Sequence, residues 1–313
     1  MNYLNTTRRD TNRILDVIVI GEALTDVVVT PDGTRGHPGG SPANVAYGLG
    51  RLGVSTGLLT AFGDDSRGAG IELHLRSAGV TVLPGAYSLE RTSSATETLV
   101  EDGSACYDFD VVWDPKPLAP AYIPKVLHTG SIATFLAPGA GAVKTLMQHR
   151  DHDCIVTYDP NIRPALLGSH AEALSIFEDL INLTGVVKLS TEDATWLYPH
   201  KNLDDIATRL LGLGAGLAVI TQGAQGSLLA TPATRLTIPA VQSTVADTIG
   251  AGDSYTAALI MGLLTRGTVG YAPALLEQVG RTASMAATIT VRRPGANPPT
   301  TDELWAHLEQ PAA

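Results

Sequence analysis

The sequence predicts an α/β fold in which helices pack against a mainly parallel sheet. Short runs of β-branched and aliphatic residues recur along most of the chain, and amphipathic stretches of helical length separate them. Near-continuous apolar strands are typical of parallel sheets, because helices cover both faces of such a sheet. The alternation of strand and helix also favours right-handed crossover connections between neighbouring strands.

The individual elements follow from these runs. The buried strands are predicted at 14–20, 27–30, 58–61, 126–129, 154–158, 186–189 and 217–221. The helices between them are predicted at 43–52, 68–78, 140–149, 171–181 and 204–211. The chain after position 252 is predicted to be mostly helical, beginning with an apolar helix at 254–264.

Two polar, alternating segments, 26–38 and 84–113, interrupt this pattern. Within the second segment, 92–100 and 104–109 have the composition of hairpin strands. We expect these pieces to form a small antiparallel sheet that lies as a lid over the functional site. Two ordinary surface hairpins are the alternative. Residues 1–313 are accordingly predicted to form a single domain that carries this lid.

The overall composition excludes several function classes. The net charge is −10 and the chain has no run of Lys or Arg, so a nucleic-acid partner is not expected. The two cysteines, Cys106 and Cys154, lack metal-ligand spacing and indicate a reducing compartment. The N-terminal residues are polar and no apolar run reaches membrane-spanning length, so we expect a cytoplasmic protein with no membrane partner.

The segment DTIGAGD, at 247–253, carries the strongest chemical signal. Gly250, Ala251 and Gly252 let the backbone approach a ligand, and the helix that follows begins with unpaired N–H groups. These donors and the helix dipole suit a phosphoryl group, and Asp253 can accept a proton from an attacking hydroxyl. A tight turn followed by a first-turn acidic residue is the alternative interpretation.

The segment HPGGSPANVA near the N-terminus is a second candidate binding element. Gly39 and Gly40 permit close approach of the backbone, and the Asn44 amide is both a donor and an acceptor, which suits recognition of a polyol. The same residues also have a purely local interpretation, in which Ser41 is the N-cap of a helix and Pro42 its first residue. Both interpretations can hold together.

Taken as a pair, GGSPANVAYGLGRLG and DTIGAGD resemble the two signature regions of the ribokinase/PfkB family of carbohydrate kinases. Further similarity runs from GEALTDVVV to VRRPGANPP, and the pairing is much more specific than either motif alone. The resemblance implies a ribokinase-like, three-layer α/β/α fold with a small β-sheet lid. It also implies magnesium-dependent transfer of the γ-phosphate of ATP directly to a sugar hydroxyl.

The resemblance assigns roles to individual residues. Asp253 matches the catalytic base of the family, and the three residues before it match its anion hole. The positions that it implies as sugar contacts are Asp26, Gly39, Gly40, Asn44, Arg91, Asn161 and Arg163. Those that it implies as ATP contacts are Ser190, Thr221, Gly223, Gly226, Thr248, Gly295 and Asn297.

Two cation sites are implied in the same way. The family's acidic motif, which acts on Mg²⁺ through water, falls at 188–193. The family ends this motif in Glu, whereas here Asp193 occupies that position and Glu192 precedes it, so both carboxylates are candidates. Asp247 and the carbonyl of Ile249 match positions that bind K⁺ in potassium-activated members.

The substrate class rests on DPNIRP at 159–164, which resembles the D-x-N-x-R-P stretch of bacterial fructokinases and 2-keto-3-deoxygluconate kinases. Arg91 and Thr92 resemble the start of their lid strand, and Pro42 is closest to fructokinases. We therefore predict phosphorylation of fructose at O6. Alternatives are a kinase for 2-keto-3-deoxygluconate, ribose or a nucleoside, a non-catalytic sugar-binding protein, and a nicotinamide-dependent enzyme. The family resemblance also implies a homodimer formed through the lid.

Overall fold

A computed structural model describes residues 15–30, 33–99, 105–118, 122–266 and 271–309. Parts of the predicted strands at 14–20, 92–100 and 104–109 lie outside these ranges. The described residues form a sheet of nine strands, a sheet of four strands and a sheet of two.

The strands and helices are numbered here in chain order. The strands are β1 Val17–Ile20, β2 Leu24–Thr30, β3 Gly33–Gly39, β4 Thr56–Leu59, β5 Phe62–Gly63, β6 Thr81–Val82, β7 Tyr87–Leu89, β8 Ser94–Leu99, β9 Ala105–Asp110, β10 Val126–Gly130, β11 Ile155–Asp159, β12 Val186–Ser190, β13 Leu217–Thr221, β14 Ser227–Ala230 and β15 Arg235–Ile238. The helices are α1 Ser41–Arg51, α2 Ser66–Ser77, α3 Gly139–Gln148, α4 His170–Ile181, α5 Thr191–Leu197, α6 Leu203–Gly212, α7 Ala251–Arg266, α8 Pro273–Val291 and α9 Thr301–Leu308. The five predicted helices before position 250 are all present, with ends displaced by at most two residues.

The large sheet has the strand order β15-β14-β13-β12-β11-β10-β1-β4-β6. Pairing is parallel from β13 to β6, as predicted. The predicted strand at 27–30 is not part of this sheet, because it belongs to β2, which pairs with β3 and β8. The last two strands, β14 and β15, add an antiparallel hairpin at one edge that the sequence did not reveal.

Helices cover both faces of the large sheet. Along β1, Val17 and Val19 point into the core shared with α1, α2, α7, α8 and α9, whereas Ile18 and Ile20 point into the core shared with α3, α4, α5 and α6. Alternate residues of a strand face opposite sides of a sheet, so a strand covered on both sides must be apolar throughout. The architecture therefore has the predicted three layers.

The small sheet has the order β3-β2-β8-β9. β2 pairs with β3 and β8 with β9 in antiparallel fashion, but the two hairpins join through a parallel β2–β8 pairing. β7 pairs with β5 in the two-stranded sheet. The second part of the small sheet therefore begins at β8, later than position 84, where the predicted segment starts.

The parallel strands place their carboxyl ends along one edge of the large sheet. Glu22 follows β1, Asp159 ends β11, and Ser190 ends β12. The loops at this edge of an α/β sheet form its usual ligand crevice. Among the described residues, no helix combines the length and the apolar character needed to cross a membrane.

Candidate active site

The turn before α7 has the geometry that its glycines allow. Gly250 has a φ of 74°, in the left-handed region, and a Cβ there would lie 2.7 Å from the Cβ of Ala296. Only glycine fits this combination of conformation and contact. α7 begins immediately afterwards, so Asp253 occupies its first turn, where the backbone N–H groups of a helix have no helical partner. The N–H of Ala251 donates to the Thr248 carbonyl at 3.2 Å.

The Asp253 carboxylate joins the two signature regions. It accepts hydrogen bonds from the Ser41 hydroxyl at 2.6 Å and from the Asn44 side-chain amide at 2.9 Å. The N-cap of α1 is Gly40, with a φ of 96°, and no side chain caps this helix. The local interpretation of Ser41 as the N-cap is therefore wrong, because its hydroxyl is directed at Asp253.

The surroundings of Asp253 set its proton affinity. Burial raises the pKa of its carboxyl, while the hydrogen bonds from Ser41 and Asn44 lower it. The negative charge of Asp159 raises the pKa of Asp253 further, and the positive charge of Lys188 lowers it. A buried carboxylate with a raised pKa is well suited to accept a proton.

Asp26, on β2 of the small sheet, faces the same space. Burial raises its pKa to about 6; Arg163 opposes this shift and the Asp253 charge adds to it. Its carboxylate lies directly over Gly39, where a Cβ would be 1.9 Å from Oδ2. The structure thus gathers three predicted sugar contacts, Asp26, Gly39 and Arg163, near the predicted base.

The carboxyl ends of β12 and β13 form a second group of predicted residues. Ser190 and Thr221 are neighbours across the two strands, and the Thr191 hydroxyl donates to the Thr221 carbonyl at 3.0 Å. The loop after β13 contains Gly223 and Gly226, with φ of 53° and 97°. A Cβ at Gly223 would meet nothing within 4 Å, so this residue borders open space at the edge where ligands bind, whereas a Cβ at Gly226 would lie 2.0 Å from the Ile238 carbonyl oxygen.

The two candidate magnesium residues differ in their surroundings. Asp193 is buried, and one of its oxygens accepts the Ser190 backbone N–H at 2.9 Å and hydroxyl at 2.8 Å. Its other oxygen accepts the backbone N–H of Ile162 at 2.7 Å. Glu192 is exposed. Within the described ranges, no three His, Cys, Asp or Glu side chains group closely enough to hold a metal ion by themselves.

The start of DTIGAGD is tied to the loop that contains Gly295. The Asp247 carboxylate accepts the backbone N–H groups of Ile249 at 3.0 Å and Gly295 at 2.8 Å, and these bonds lower its pKa. Thr248 and Asn297 are exposed on either side of this link. The predicted ATP contacts at 248, 295 and 297 therefore lie in two segments that are held together.

The profile of the pfkB family carbohydrate kinase matches residues 14–303 of the chain. The chain belongs to this family. A fructokinase from Rhizobium leguminosarum bv. trifolii is 30% identical over 259 residues, which are 79% of each chain. By family, the protein is an ATP-dependent carbohydrate kinase.

Two solved structures are similar to the kinase over nearly all of its length. A fructokinase from Vibrio cholerae O395 has a TM-score of 0.81 at 24% identity, covering 95% of this chain and 99% of its own. Aminoimidazole riboside kinase from Salmonella enterica has a TM-score of 0.80 at 26% identity, covering 94% of this chain and 99% of its own. These matches confirm the ribokinase-like fold predicted from the sequence.

Two predicted sugar contacts of the kinase have less direct support. Arg91 has a side chain 69% exposed and forms an ion pair with Asp110 at 2.8 Å. Asn161 has a φ of 37° after β11, in a region that asparagine tolerates better than most residues. Their roles as sugar contacts stay predictions.

One acidic residue of the kinase escaped the sequence analysis. Glu22 follows β1, is 3% exposed and accepts the backbone N–H of Ala133 at 3.1 Å. Burial raises its pKa to about 8, against the lowering effects of Ser131 and Arg163. The available signal was an acidic residue directly after a buried parallel strand, at the edge where ligands bind.

Proposed function

We propose that this carbohydrate kinase transfers the γ-phosphate of ATP to O6 of fructose. The observation that supports the chemistry best is the Asp253 carboxylate, which Ser41 and Asn44 orient at the N-terminus of α7. Support for fructose comes from the segment at 159–164 and from the similarity to the Rhizobium fructokinase.

In the proposed reaction the sugar lies between the small sheet and the start of α7. Asp26 accepts hydrogen bonds from sugar hydroxyls, and Arg163 donates to ring or hydroxyl oxygens. Asp253 removes the proton of the attacking hydroxyl as the O–P bond forms. The bond between the γ-phosphorus and its bridging oxygen breaks in the same transfer, and ADP leaves.

The N-terminus of α7 stabilises the charge that develops on the transferring group. The N–H groups of its first turn and the helix dipole attract anions, and the turn at Gly250 would bring them close to the phosphoryl oxygens. Donors fixed before the reaction lower the barrier most, because they need no reorganisation in the transition state.

The nucleotide is proposed to lie along the ends of β12 and β13. The similar Salmonella riboside kinase was solved with an ATP analogue. In this chain the residues proposed to contact ATP are Ser190, Thr221, Gly223, Gly226, Thr248, Gly295 and Asn297. The phosphates then point towards α7.

Mg²⁺ fits this site as an ion shared between water, carboxylate and nucleotide phosphates, which is its usual environment in kinases. The exposed Glu192 carboxylate is available for a bridging water, whereas the Asp193 oxygens already accept three hydrogen bonds. The ion would neutralise phosphate charge. A K⁺ ion at Asp247 and the Ile249 carbonyl, and a homodimer formed through the small sheet, stay predictions.

We place the activity in the cytoplasm. Cys154 is a free, buried thiol, and its thiol form is compatible with the reducing, ATP-containing compartment that the sequence analysis predicts.

The test measures ATP consumption with fructose, 2-keto-3-deoxygluconate, ribose, glucose and adenosine, with Mg²⁺ and with or without K⁺. We expect turnover with fructose and a dependence on Mg²⁺. Preferential turnover of another acceptor would replace fructose but keep the chemistry. Binding of sugar without ATP consumption by folded protein would instead favour the non-catalytic alternative.

A further inference from the structure

A buried ion pair lies beneath the proposed anion hole, and neither of its members has a role in the chemistry described above. Lys188 of β12 and Asp159 of β11 are joined by a bond of 2.9 Å between Nζ and Oδ2, with side chains 7% and 2% exposed. Thr256, one turn into α7, also donates to Asp159 Oδ2, at 3.1 Å. The pair thus connects two strands of the sheet to the helix that carries Asp253.

The lysine ammonium lies beside the turn, on the side where Gly252 has no side chain. A Cβ on Gly252 would lie 3.1 Å from Lys188 Nζ, so the absence of a side chain at this position leaves room for the ammonium against the backbone. Gly252 directly precedes Asp253. The positive charge is therefore held below the N–H groups that are proposed to receive the phosphoryl oxygens.

Lys188 is surrounded by negative charge. Burial alone would lower its pKa, but Asp159, Asp193 and Asp253 together raise it, so the ammonium stays protonated. His128, on β10 next to β11, is neutral at ordinary pH, because burial and then the Lys188 charge lower its pKa to about 3. Among the buried side chains of the described residues, Lys188 is the only lysine or arginine.

A stabilising role alone is a weak explanation for this pair. Buried ion pairs are often neutral or unfavourable for stability, because both charges lose their hydration. Here Asp159 Oδ1 is also buried without a hydrogen-bond partner, which adds a further cost. Such features concentrate at functional sites.

We propose that Lys188 is a positioning residue for phosphoryl transfer, which supplies a fixed positive charge beneath the Gly250–Gly252 turn and keeps Asp253 in its carboxylate form. Asp159 holds the ammonium in place through its bond to Nζ. This inference rests on the proposed role of Asp253. No bond to Lys188 forms or breaks during the reaction.

The charged groups facing Asp253 fix the sign of the expected effect. They are Asp26 of β2, Asp159 of β11 and Lys188 of β12; the contacts from α1, Ser41 and Asn44, are neutral. Lys188 is the positive member of this group. Its removal takes this positive charge away and leaves Asp26 and Asp159 in place, so Asp253 holds its proton more tightly and becomes protonated at a higher pH.

The test compares the pH profile of kcat/KM for wild type and Lys188→Met, with the sugar that the wild-type enzyme turns over best. We expect the acidic limb of the profile to move to higher pH by about one unit or more. We also expect kcat at neutral pH to fall by at least about tenfold. Lys144→Met, which breaks the exposed pair with Asp179, is the matched control and should keep the wild-type profile.

A second variant keeps the inference testable if Lys188→Met does not fold. Lys188→Met with Asp159→Asn removes both charges and leaves no unpaired buried ion. We expect this double variant to fold, to keep an acidic limb near that of wild type, and to lose kcat by about tenfold or more. A folded single variant with the wild-type limb, or a double variant with wild-type kcat, would overturn the inference. An inactive wild-type enzyme would instead contradict the proposed function.

Discussion

The backbone N–H of Ile162 donates to the carboxylate of Asp193 at 2.7 Å, which joins the loop after β11 to the first turn of α5. The same carboxylate completes a capping box with Ser190. Asp193 therefore holds in place the loop that carries Arg163, as well as the start of α5. This structural task is an alternative to the metal role predicted for Asp193.

Because only Asp193 takes part in the cap, substitutions of the two candidate magnesium residues should have different effects. Glu192→Gln should raise the Mg²⁺ concentration needed for half-maximal activity severalfold with unchanged stability, because its exposed side chain has no part in the cap. Asp193→Ala should lower the free energy of unfolding by about 1–3 kcal/mol through loss of the cap and of the Ile162 bond. Magnesium titrations of activity and denaturant unfolding measure the two effects. The reverse pattern would assign the metal role to Asp193.

Asp253→Asn tests the proposed base. An amide cannot take up the hydroxyl proton, so we expect turnover to fall by about a hundredfold or more. The thermal midpoint should change little, because the amide oxygen can still accept a hydrogen bond from Ser41 or Asn44. Steady-state kinetics and a melting curve provide the measurements. Asp179→Asn, at an exposed position, serves as the control, and wild-type turnover in the Asp253 variant would remove this residue from the chemistry.

Gly39→Ala tests the sugar-binding arrangement. The added Cβ would lie 1.9 Å from Asp26 Oδ2, so the carboxylate must move. We expect KM for the sugar to rise by about tenfold, corresponding to roughly one lost charged hydrogen bond, with a smaller change in kcat. The control is Gly141→Ala in α3, which meets nothing within 4 Å. An unchanged KM would show that Asp26 does not hold the sugar in this position.

The buried Glu22 carboxyl should make stability depend on pH. Burial raises the pKa of Glu22 to about 8 in the folded protein. Between the pKa of Glu22 in the unfolded chain and pH 8, the folded state therefore binds one proton more than the unfolded state. The free energy of unfolding should then fall as pH rises from about 5 to 8, by at most about 1.4 kcal/mol per pH unit from this group.

Glu22→Gln should flatten this dependence, since a neutral amide can still accept the Ala133 N–H without being ionised. Urea unfolding at a series of pH values measures the slope. Glu277→Gln, on the exposed face of α8, is the control. Equal slopes in wild type and Glu22→Gln would show that Glu22 is already ionised at the lower pH.

Most of the large sheet could be predicted because its strands are buried on both faces and are therefore apolar throughout. The edge hairpin was missed although β14 is buried throughout, because this strand is only four residues long and its partner is a weak signal. β15 begins at the exposed Arg235, and only its last residue, Ile238, is buried. Short edge strands leave little periodic signal in a sequence.

The site was predictable where a motif carried its own geometry, as in the turn at Gly250. It was not predictable where tertiary packing decides the environment. The burial of Glu22, the use of Asp193 in a cap and the pairing of Lys188 with Asp159 each depend on what a distant segment places beside the residue. Lys188 did leave one trace, a single cation within the apolar strand VVKLS.

The bond between Ser41 and Asp253 spans 212 positions of the chain, and so it has a consequence for synthesis. At translation rates of about 5–20 residues per second, the hydroxyl emerges roughly ten to forty seconds before the carboxylate that it contacts. A nascent polypeptide therefore lacks this contact, and the proposed phosphotransfer centre that includes it, until residue 253 has left the ribosome. Contacts between residues this distant in sequence form late in folding. During refolding, activity should therefore return only when the whole domain has folded.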